Sequence, residues 1–283
     1  MAFFNRVTII GLGLIGGSLG IVLRRKHVAR QVIGYSRKAA TLRAAKRCGA
    51  IDRGTTDLAS AVRDAHVVIL ATPVDTIVPL GRRVARLMRP GSLLTDVGST
   101  KQGIVRTLER VRPSAVAFVG AHPLAGSEQH GIHAARSDLF KESRCILTVT
   151  PKTNRHALRH VTRLWRSVGT RVLIMDPVRH DQVLAAASHV PHLMAFCLVT
   201  ATPREALAIA PRSFLDATRV AKSDPDLWDD IFFSNRTALI DAIARFDRRW
   251  RTLRAQLIRG DRAAIRRFLI QAQSQRLHAL ENH

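Results

Sequence analysis

The 283-residue sequence has few cysteines and no long hydrophobic run. Its three cysteines, Cys48, Cys145 and Cys197, are far apart, odd in number and in no CxxC pattern, so we expect neither a disulfide framework nor a metal site. No segment approaches 18 uninterrupted apolar residues, so no membrane span is expected. The apolar start of the chain has no small-residue cleavage site of the signal-peptide kind, and we expect a cytoplasmic protein.

Acidic residues are also scarce, with 21 Asp and Glu against 45 Lys and Arg and a formal net charge of +24. Such an excess indicates either a nucleic-acid partner or an enzyme with anionic ligands. Residues 1–176 hold 29 basic and 10 acidic residues, and residues 177–283 hold 16 and 11, so the charge is diffuse. We therefore expect a small-molecule substrate, with no specific nucleic acid and no membrane as partner.

The order of hydrophobic patterns predicts two domains. Val-, Ile- and Leu-rich runs alternate with amphipathic stretches of helical length, which is typical of βα units in a doubly wound parallel sheet. The predicted strands are 7–10, 31–35, 67–71, 92–96, 117–120, 145–150 and 171–175, and the predicted helices between them include 15–26, 39–48, 57–62 and 76–87. Later segments have helical periodicity only, broken by Pro191, Pro203, Pro211 and Pro225. We predict an α/β domain over 1–176 and an all-helical domain over 177–283.

The segment VTIIGLGLIGGSLG places Gly11, Gly13 and Gly16 in GxGxxG spacing between an apolar strand and a helical pattern. This context is typical of a Rossmann dinucleotide site, where the helix amino terminus faces the pyrophosphate. The alternative is a simple glycine-rich turn. We predict binding of NAD or NADP, with contacts from Gly11, Gly13, Leu14, Ile15, Gly16, Thr72 and Pro73.

The second predicted strand ends in Tyr35, Ser36, Arg37 and Lys38. An NAD enzyme usually places a carboxylate here for the ribose 2′-hydroxyl, and none is present. A hydroxyl followed by cations suits a 2′-phosphate, which favours acceptance of NADP without excluding NAD. Alternatively, these cations are solvated, or Arg37 stacks on adenine.

Two turns after later strands carry Ser99, in DVGSTK, and His122, in GAHPLAGSE. Ligands bind at the carboxyl edge of an open parallel sheet, so both side chains should face the nicotinamide. Histidine is suited to abstract a proton near neutral pH.

These motifs, with SHVPH at 188–192 and TRVAKSDPDLW at 218–228, resemble the prephenate/arogenate dehydrogenase family, in its order and over nearly the whole chain. The resemblance implies a Rossmann domain joined to a helical domain that forms a homodimer, with each active site between the domains. It also implies oxidative decarboxylation of prephenate or arogenate in tyrosine biosynthesis, with hydride transfer to NAD(P)+. The sequence does not decide between the two substrates.

The resemblance assigns roles to individual residues. His122 would take the proton of the ring hydroxyl, Ser99 would contact and orient that hydroxyl, and Arg219 would bind a substrate carboxylate. The remaining predicted pocket positions are Ser127, Glu128, Ser188 and His192, with Trp228 and Asp224 shaping the pocket. We expect His189 to be structural and seven other histidines to lie on the surface: His130, His133, His156, His160, His180, His278 and His283.

Two other readings of the chain stay open at this point. One is another Rossmann-plus-helical dehydrogenase, of the β-hydroxyacid or pyrroline-carboxylate reductase type, which would carry a lysine in the helical domain. Lys222 is the only lysine after position 152. The other is a non-enzymatic protein that binds dinucleotides or nucleic acid through its basic surface.

Overall fold

A computed structural model describes residues 2–127 and 129–281. Within these residues, eight strands form one sheet in the order β3-β2-β1-β4-β5-β6-β7-β8. The strands are β1 (Phe4–Ile10), β2 (Ala29–Tyr35), β3 (Arg53–Thr55), β4 (Val67–Leu70), β5 (Leu93–Asp96), β6 (Ala117–Leu124), β7 (Arg144–Thr148) and β8 (Arg171–Met175). The first six are mutually parallel and have the doubly wound Rossmann order, which reverses between β1 and β4.

The sheet is not wholly parallel, because β7 pairs antiparallel with β6. This pairing extends β6 to Leu124 and pairs His122 with Ile146. The prediction of a strand ending at Gly120, with His122 in the following turn, was therefore wrong. The residues of β7 form backbone hydrogen bonds with β6, and the sequence around β6 gives no sign of this pairing. For this reason β6 continues four residues beyond the predicted end at Gly120.

The predicted strands are otherwise confirmed within a few residues. β1 begins at Phe4, three residues before the predicted start. Arg6 pairs with β2 through its backbone, while its guanidinium donates to Asp64 and Gln31. The sequence analysis did not predict β3. Its residues Arg53–Thr55 include no apolar side chain, and only pairing with β2 makes them a strand.

Six helices cover the two faces of the sheet. They are α1 (Leu14–Arg25), α2 (Ala39–Arg47), α3 (Leu58–Val62), α4 (Val74–Leu87), α5 (Gln102–Val111) and α6 (Arg155–Val168). One core packs α1, α2 and α6 against the sheet. The other packs α3, α4 and α5 on the opposite face and includes Trp228 and Ile231 from the C-terminal part. The predicted α/β fold with helices on both faces is confirmed.

The chain after β8 is helical in the residues that the structure describes. Its helices are α7 (Pro177–Leu184), α8 (Val190–Ala201), α9 (Arg204–Ala208), α10 (Arg212–Thr218), α11 (Pro225–Ser234), α12 (Arg236–Ile258) and α13 (Arg262–Glu281). Asp176 and Asp224 cap α7 and α11, and each is followed by a proline in the first turn, where the missing N–H is tolerated. This confirms the predicted all-helical C-terminal part.

Pro191 does not break a helix, contrary to the sequence analysis. A π-helical turn, Ala185–His189, joins α7 to α8, and Pro191 lies at the start of α8. A π turn shifts the hydrogen-bond pattern by one residue, so the proline fits without ending the helix. In the resulting helix from Pro177 to Ala201, the backbone hydrogen-bond register changes at Ala185–His189, and this segment includes candidate site residues.

This long helix, Pro177–Ala201, has a mean hydropathy of 1.6 in its most apolar window, enough by length and composition to cross a membrane. One such helix is weak evidence, because the core helix of a folded protein passes the same test, although only 28% of this window is buried. The helix also carries His180, Asp181 and His189, all buried and hydrogen-bonded within the protein. We interpret it as a central helix of the C-terminal part.

Close packing of α1 depends on a glycine. A Cβ atom on Gly20 would lie 2.2 Å from the carbonyl oxygen of Ala50, and that oxygen belongs to buried backbone that cannot move independently. By contrast, a Cβ on Gly103 in α5 would meet nothing within 4 Å.

We therefore expect Gly20→Ala to lower the free energy of unfolding by about 1–3 kcal/mol, because overpacking a close contact displaces backbone. The matched variant Gly103→Ala should leave it unchanged or raise it by up to about 1 kcal/mol. Urea unfolding followed by circular dichroism measures both. Equal stability of the two variants would contradict the packing argument.

Candidate active site

The glycine-rich turn after β1 has the geometry of a dinucleotide cradle. Gly11 has a φ of 94°, and a Cβ on Gly16 would lie 2.0 Å from the carbonyl oxygen of Gly11. Gly13 precedes α1. A Cβ atom added to Gly13 would meet no other atom within 4 Å, so the backbone here is open to a ligand. No side chain caps α1 and no acidic residue lies in its first turn. The N–H groups of this helix start are therefore suited to a pyrophosphate.

The other predicted cofactor residues lie around this turn. Leu14 and Ile15 open α1 and are half-buried. Thr72 and Pro73 follow β4, the neighbour of β1 at the point where the strand order reverses. The two turns are close together, since a Cβ atom added to Gly11 would lie 2.3 Å from the Ala71 carbonyl oxygen. Ser36 is half-buried after β2, and Arg37 and Lys38 are exposed. The end of β2 therefore presents a hydroxyl and two cations.

A buried ion pair organises the carboxyl ends of β5 and β6. Asp96 and Lys101 are both fully buried and paired. The Asp96 carboxylate also accepts hydrogen bonds from the N–H of Gly98 (2.9 Å) and of Ala121 (3.2 Å). One carboxylate thus fixes the loop that carries Ser99 and the strand that carries His122.

His122 lies at the start of a buried chain of polar side chains. Its Nδ1 is 2.8 Å from Nε2 of His180, and Nδ1 of His180 is 2.7 Å from Oδ1 of Asp181. Oδ1 and Oδ2 of Asp181 also accept from the N–H groups of Lys101 (2.7 Å) and Gln102 (2.9 Å), at the start of α5. The chain therefore crosses from β6 to α7 and returns to α5.

Burial keeps the histidines of this chain neutral. It lowers the pKa of His122 well below the ordinary value, and the nearby His180, Lys101 and His189 lower it further. Burial also lowers the pKa of His180, with Asp181 partly opposing the shift. A neutral imidazole is the form that accepts a proton, so His122 is in the protonation state that a general base requires.

A second group of residues forms a wall beside this chain. The His192 ring stacks on Trp228 with ring centroids 3.6 Å apart. Nδ1 of His192 is 2.9 Å from the Ser188 carbonyl oxygen. Burial lowers the pKa of His192, and the Arg219 guanidinium lowers it further. Arg219 is exposed, at the start of the 3-10 turn Arg219–Lys222.

His189 connects the two groups. It is buried, lies 3.2 Å from the Asn235 side-chain nitrogen, and meets the Trp228 ring edge-on with centroids 6.0 Å apart. Burial lowers its pKa to about 4. A series of interactions therefore links His122 to Arg219: His189 acts electrostatically on His122, meets Trp228, and Trp228 stacks on His192, which Arg219 affects in turn.

The remaining predicted pocket residues have different positions. Ser99 is half-buried in the loop after β5, Ser188 is half-buried in the π turn, and Ser127 is exposed in the loop after β6. The side chain of Ser127 accepts from the N–H of Gln129 at 3.1 Å. Glu128 lies outside the described residues.

The sequence analysis missed His180, Asp181, Asp96, Lys101 and Asn235. Its assignment of His180 to the surface was wrong, since that side chain is fully buried. His160 was also expected on the surface, but it is partly buried and stacks on Phe3. A His-Asp pair one turn after a helix cap was the available signal for His180 and Asp181. Its burial depends on the docking of α7 against α5, which the sequence pattern does not show.

Comparison with known proteins identifies the family. The model for the prephenate dehydrogenase nucleotide-binding domain matches residues 19–174, and the model for the dimerization domain matches residues 176–271. The prephenate dehydrogenase of Bacillus subtilis is 36% identical over 86% of this chain and 67% of its own. The cyclohexadienyl dehydrogenase of Zymomonas mobilis is 31% identical over 100% of this chain and 99% of its own.

Solved structures agree with this comparison. The Aquifex aeolicus prephenate dehydrogenase in complex with hydroxyphenyl propionate and NAD+ superposes with a TM-score of 0.90 at 32% identity, covering 97% of this chain and 98% of its own. The Synechocystis arogenate dehydrogenase gives 0.84 at 27% identity, covering 96% and 98%. These matches confirm the resemblance found in the sequence motifs. The chain belongs to the prephenate dehydrogenase family of NAD(P)-dependent oxidoreductases.

Proposed function

We propose that this enzyme oxidises and decarboxylates prephenate, arogenate or both, with His122 as general base and Ser99 as its partner at the ring hydroxyl. The observation that supports this most directly is the buried, neutral His122, at the same carboxyl edge of the sheet as the glycine-rich turn. Bound NAD(P)+ would supply the hydride acceptor. The names of the relatives, prephenate, cyclohexadienyl and arogenate dehydrogenase, support both substrates.

The proton and electron movements balance in this proposal. Hydride leaves the ring carbon that bears the hydroxyl, while His122 takes the hydroxyl proton. The bond to the ring carboxylate then breaks, CO2 departs, and its electron pair makes the ring aromatic with an oxyanion at the former hydroxyl. His122 returns the proton to that oxygen. General-base assistance of this kind typically contributes about 10²- to 10⁴-fold.

Arg219 is our proposed ligand for the substrate carboxylate that is retained. Its guanidinium is exposed beside the half-buried His192, and a guanidinium matches a carboxylate with two parallel hydrogen bonds. We propose that Ser188 and His192 line the same pocket, and that Trp228 is its apolar floor, since the indole is buried and stacks on His192. Ser127 and Glu128 stay proposed pocket residues.

For His122→Asn we expect kcat to fall about 10²- to 10⁴-fold, because the variant lacks a base at the hydroxyl. Cofactor affinity and the free energy of unfolding should stay close to wild type. The measurement is steady-state reduction of NAD(P)+ with prephenate and with arogenate. A normal kcat in purified His122→Asn would remove this residue from the mechanism, and no turnover of either substrate by the wild type would refute the proposed function.

We also propose that the enzyme accepts NADP. In the described residues at the end of β2, Ser36, Arg37 and Lys38 offer a hydroxyl and two exposed cations. A 2′-phosphate would find charge-assisted partners here.

We expect Arg37→Ala to raise KM for NADP by about tenfold or more, because a hydrogen bond between charged groups contributes about 1.5–3 kcal/mol. KM for NAD should change less than about threefold, since NAD has no 2′-phosphate. Arg43→Ala, an exposed arginine in α2, is the matched control and should affect neither cofactor. Equal effects of Arg37→Ala on both cofactors would contradict the role of Arg37 at the phosphate.

The helical part supports a homodimer. Along α12, Leu239, Ile243, Phe246, Trp250, Leu253 and Leu257 repeat at alternating spacings of four and three residues. This spacing forms one stripe on a helix. The stripe is buried at Leu239 but exposed further along, with Trp250 57% and Leu257 62% accessible. We propose that a second copy covers this stripe, in agreement with the dimerization-domain match.

Trp250→Glu should convert the dimer to a monomer, because it places a charge at the centre of the proposed apolar interface. Sedimentation equilibrium should give twice the chain mass of 31.3 kDa for the wild type and one chain mass for the variant. Ile174→Glu, on the exposed edge of β8, should remain dimeric. A dimeric Trp250→Glu would move the interface elsewhere.

Two broader features of the enzyme complete this proposal. We propose a boundary at Asp176 between a dinucleotide-binding domain, residues 1–176, and a helical substrate and dimerisation domain, residues 177–283. The end of β8 at Met175 and the start of α7 at Pro177 support that position. We also propose a cytoplasmic location, supported by the three unpaired cysteines and the nicotinamide chemistry.

A further inference from the structure

We propose that His180 and Asp181 are positioning residues, which act through hydrogen bonds to hold His122 in the one neutral tautomer that can accept a proton at Nε2. This inference rests on the proposed role of His122 as base. It adds two residues of the helical part to the machinery of a base that lies in the sheet domain.

The Asp181 carboxylate is the fixed end of the chain. Its two oxygens accept from the N–H groups of Lys101 and Gln102, at the amino terminus of α5. Such a helix terminus favours a negative charge. Asp181 is only 2% exposed, and the third hydrogen-bond partner of its side chain, His180, is also buried. An ionised carboxylate accepts hydrogen bonds and donates none.

The Asp181 carboxylate determines which ring nitrogens of His180 and His122 carry a hydrogen. Because Oδ1 of Asp181 only accepts, the hydrogen between it and Nδ1 of His180, 2.7 Å away, belongs to the histidine. Neutral His180 then has an unprotonated Nε2, which accepts. The hydrogen in the 2.8 Å contact between the two rings must therefore belong to Nδ1 of His122. Nε2 of His122 is left with a lone pair, as a base at the substrate hydroxyl requires.

The surrounding charges agree with this assignment. Lys101, which also faces His122, is paired with Asp96, and His189 is held by Asn235. The burial that lowers the pKa values of His122 and His180 keeps both rings neutral, which the chain of donors and acceptors requires. When His122 gains the substrate proton, the ionised Asp181 stabilises the positive charge through His180.

The same chain couples the base to domain docking. His122 and α5 belong to the sheet domain, whereas His180 and Asp181 lie on α7. Asn235 of α12 donates to the Asp181 backbone carbonyl at 2.8 Å and so holds α7 from the other side. The tautomer of His122 is fixed only while α7 is docked against α5.

Three variants test the chain. His180→Gln keeps an acceptor for His122 and a donor for Asp181, because a carboxamide carries both on one carbon. His180→Leu removes both but leaves Asp181 bound to α5. Asp181→Asn removes the charge and supplies a donor that permits the wrong tautomer. We expect kcat within about tenfold of wild type for His180→Gln, and a loss of about 10²- to 10⁴-fold for the other two, with KM for the substrate little changed.

A spectroscopic readout separates positioning from a merely structural role. Long-range ¹H–¹⁵N spectra of the imidazole rings distinguish protonated from unprotonated ring nitrogens, and His122→Asn and His180→Gln identify the two residues' signals. In the wild type we expect His122 protonated at Nδ1 alone, and in Asp181→Asn a mixture of tautomers. Urea unfolding of each variant measures how much the hydrogen bonds from the start of α5 to Asp181 contribute to the free energy of unfolding.

The outcomes are distinct. Wild-type His122 protonated at Nε2, or a folded His180→Leu with normal kcat, would overturn the inference while leaving the proposed function intact. If His180→Leu does not fold, the wild-type spectrum and the comparison of His180→Gln with Asp181→Asn decide the question. Absence of turnover in the wild type would instead refute the proposed function itself.

Discussion

A buried carboxylate joins the two parts of this protein. Asp181 bonds the first N–H groups of α5 in the sheet domain, its own backbone carbonyl accepts from Asn235 in α12, and its side chain contacts His180. A charge removed from water at this depth is tolerated only when it is fully hydrogen-bonded. The requirement to satisfy Asp181 therefore sets how α7 docks against α5.

The second buried carboxylate acts within the sheet domain. Asp96 takes the Lys101 ammonium and two backbone N–H groups, so the loop after β5 and the strand β6 cannot move independently. This pair lies in a protein with 24 more basic than acidic residues. The exposed Arg219, Arg37 and Lys38 fit a dianionic substrate and a phosphorylated cofactor. Of the buried charges, Asp96 and Lys101 balance each other, whereas Asp181 is held by hydrogen bonds.

The sequence analysis was right where a short motif determines the backbone conformation. It was wrong where the conformation depends on contacts with distant parts of the chain or on an irregular helical turn. The GxGxxG turn predicted a sharp backbone turn that the φ of Gly11 confirms, and the predicted change to helical structure after residue 176 agrees with the start of α7. It misplaced His122 in a turn, because the antiparallel β7 that extends β6 comes more than 20 residues later. It also read Pro191 as a helix break, because a π turn leaves no simple pattern in the residues.

The sequence by itself determined the family, the change from an α/β to a helical part and the identity of the proposed base and carboxylate ligand, because each is carried by contiguous motifs whose residue types restrict local conformation. Only the tertiary structure decided which groups surround that base. His180 and Asp181 are 58 and 59 positions from His122 in the chain, and their polar atoms meet it only after α7 docks on α5. Burial then removes water from the three side chains, and it is this loss of water, absent from any linear pattern, that fixes their charges and hydrogen-bond directions.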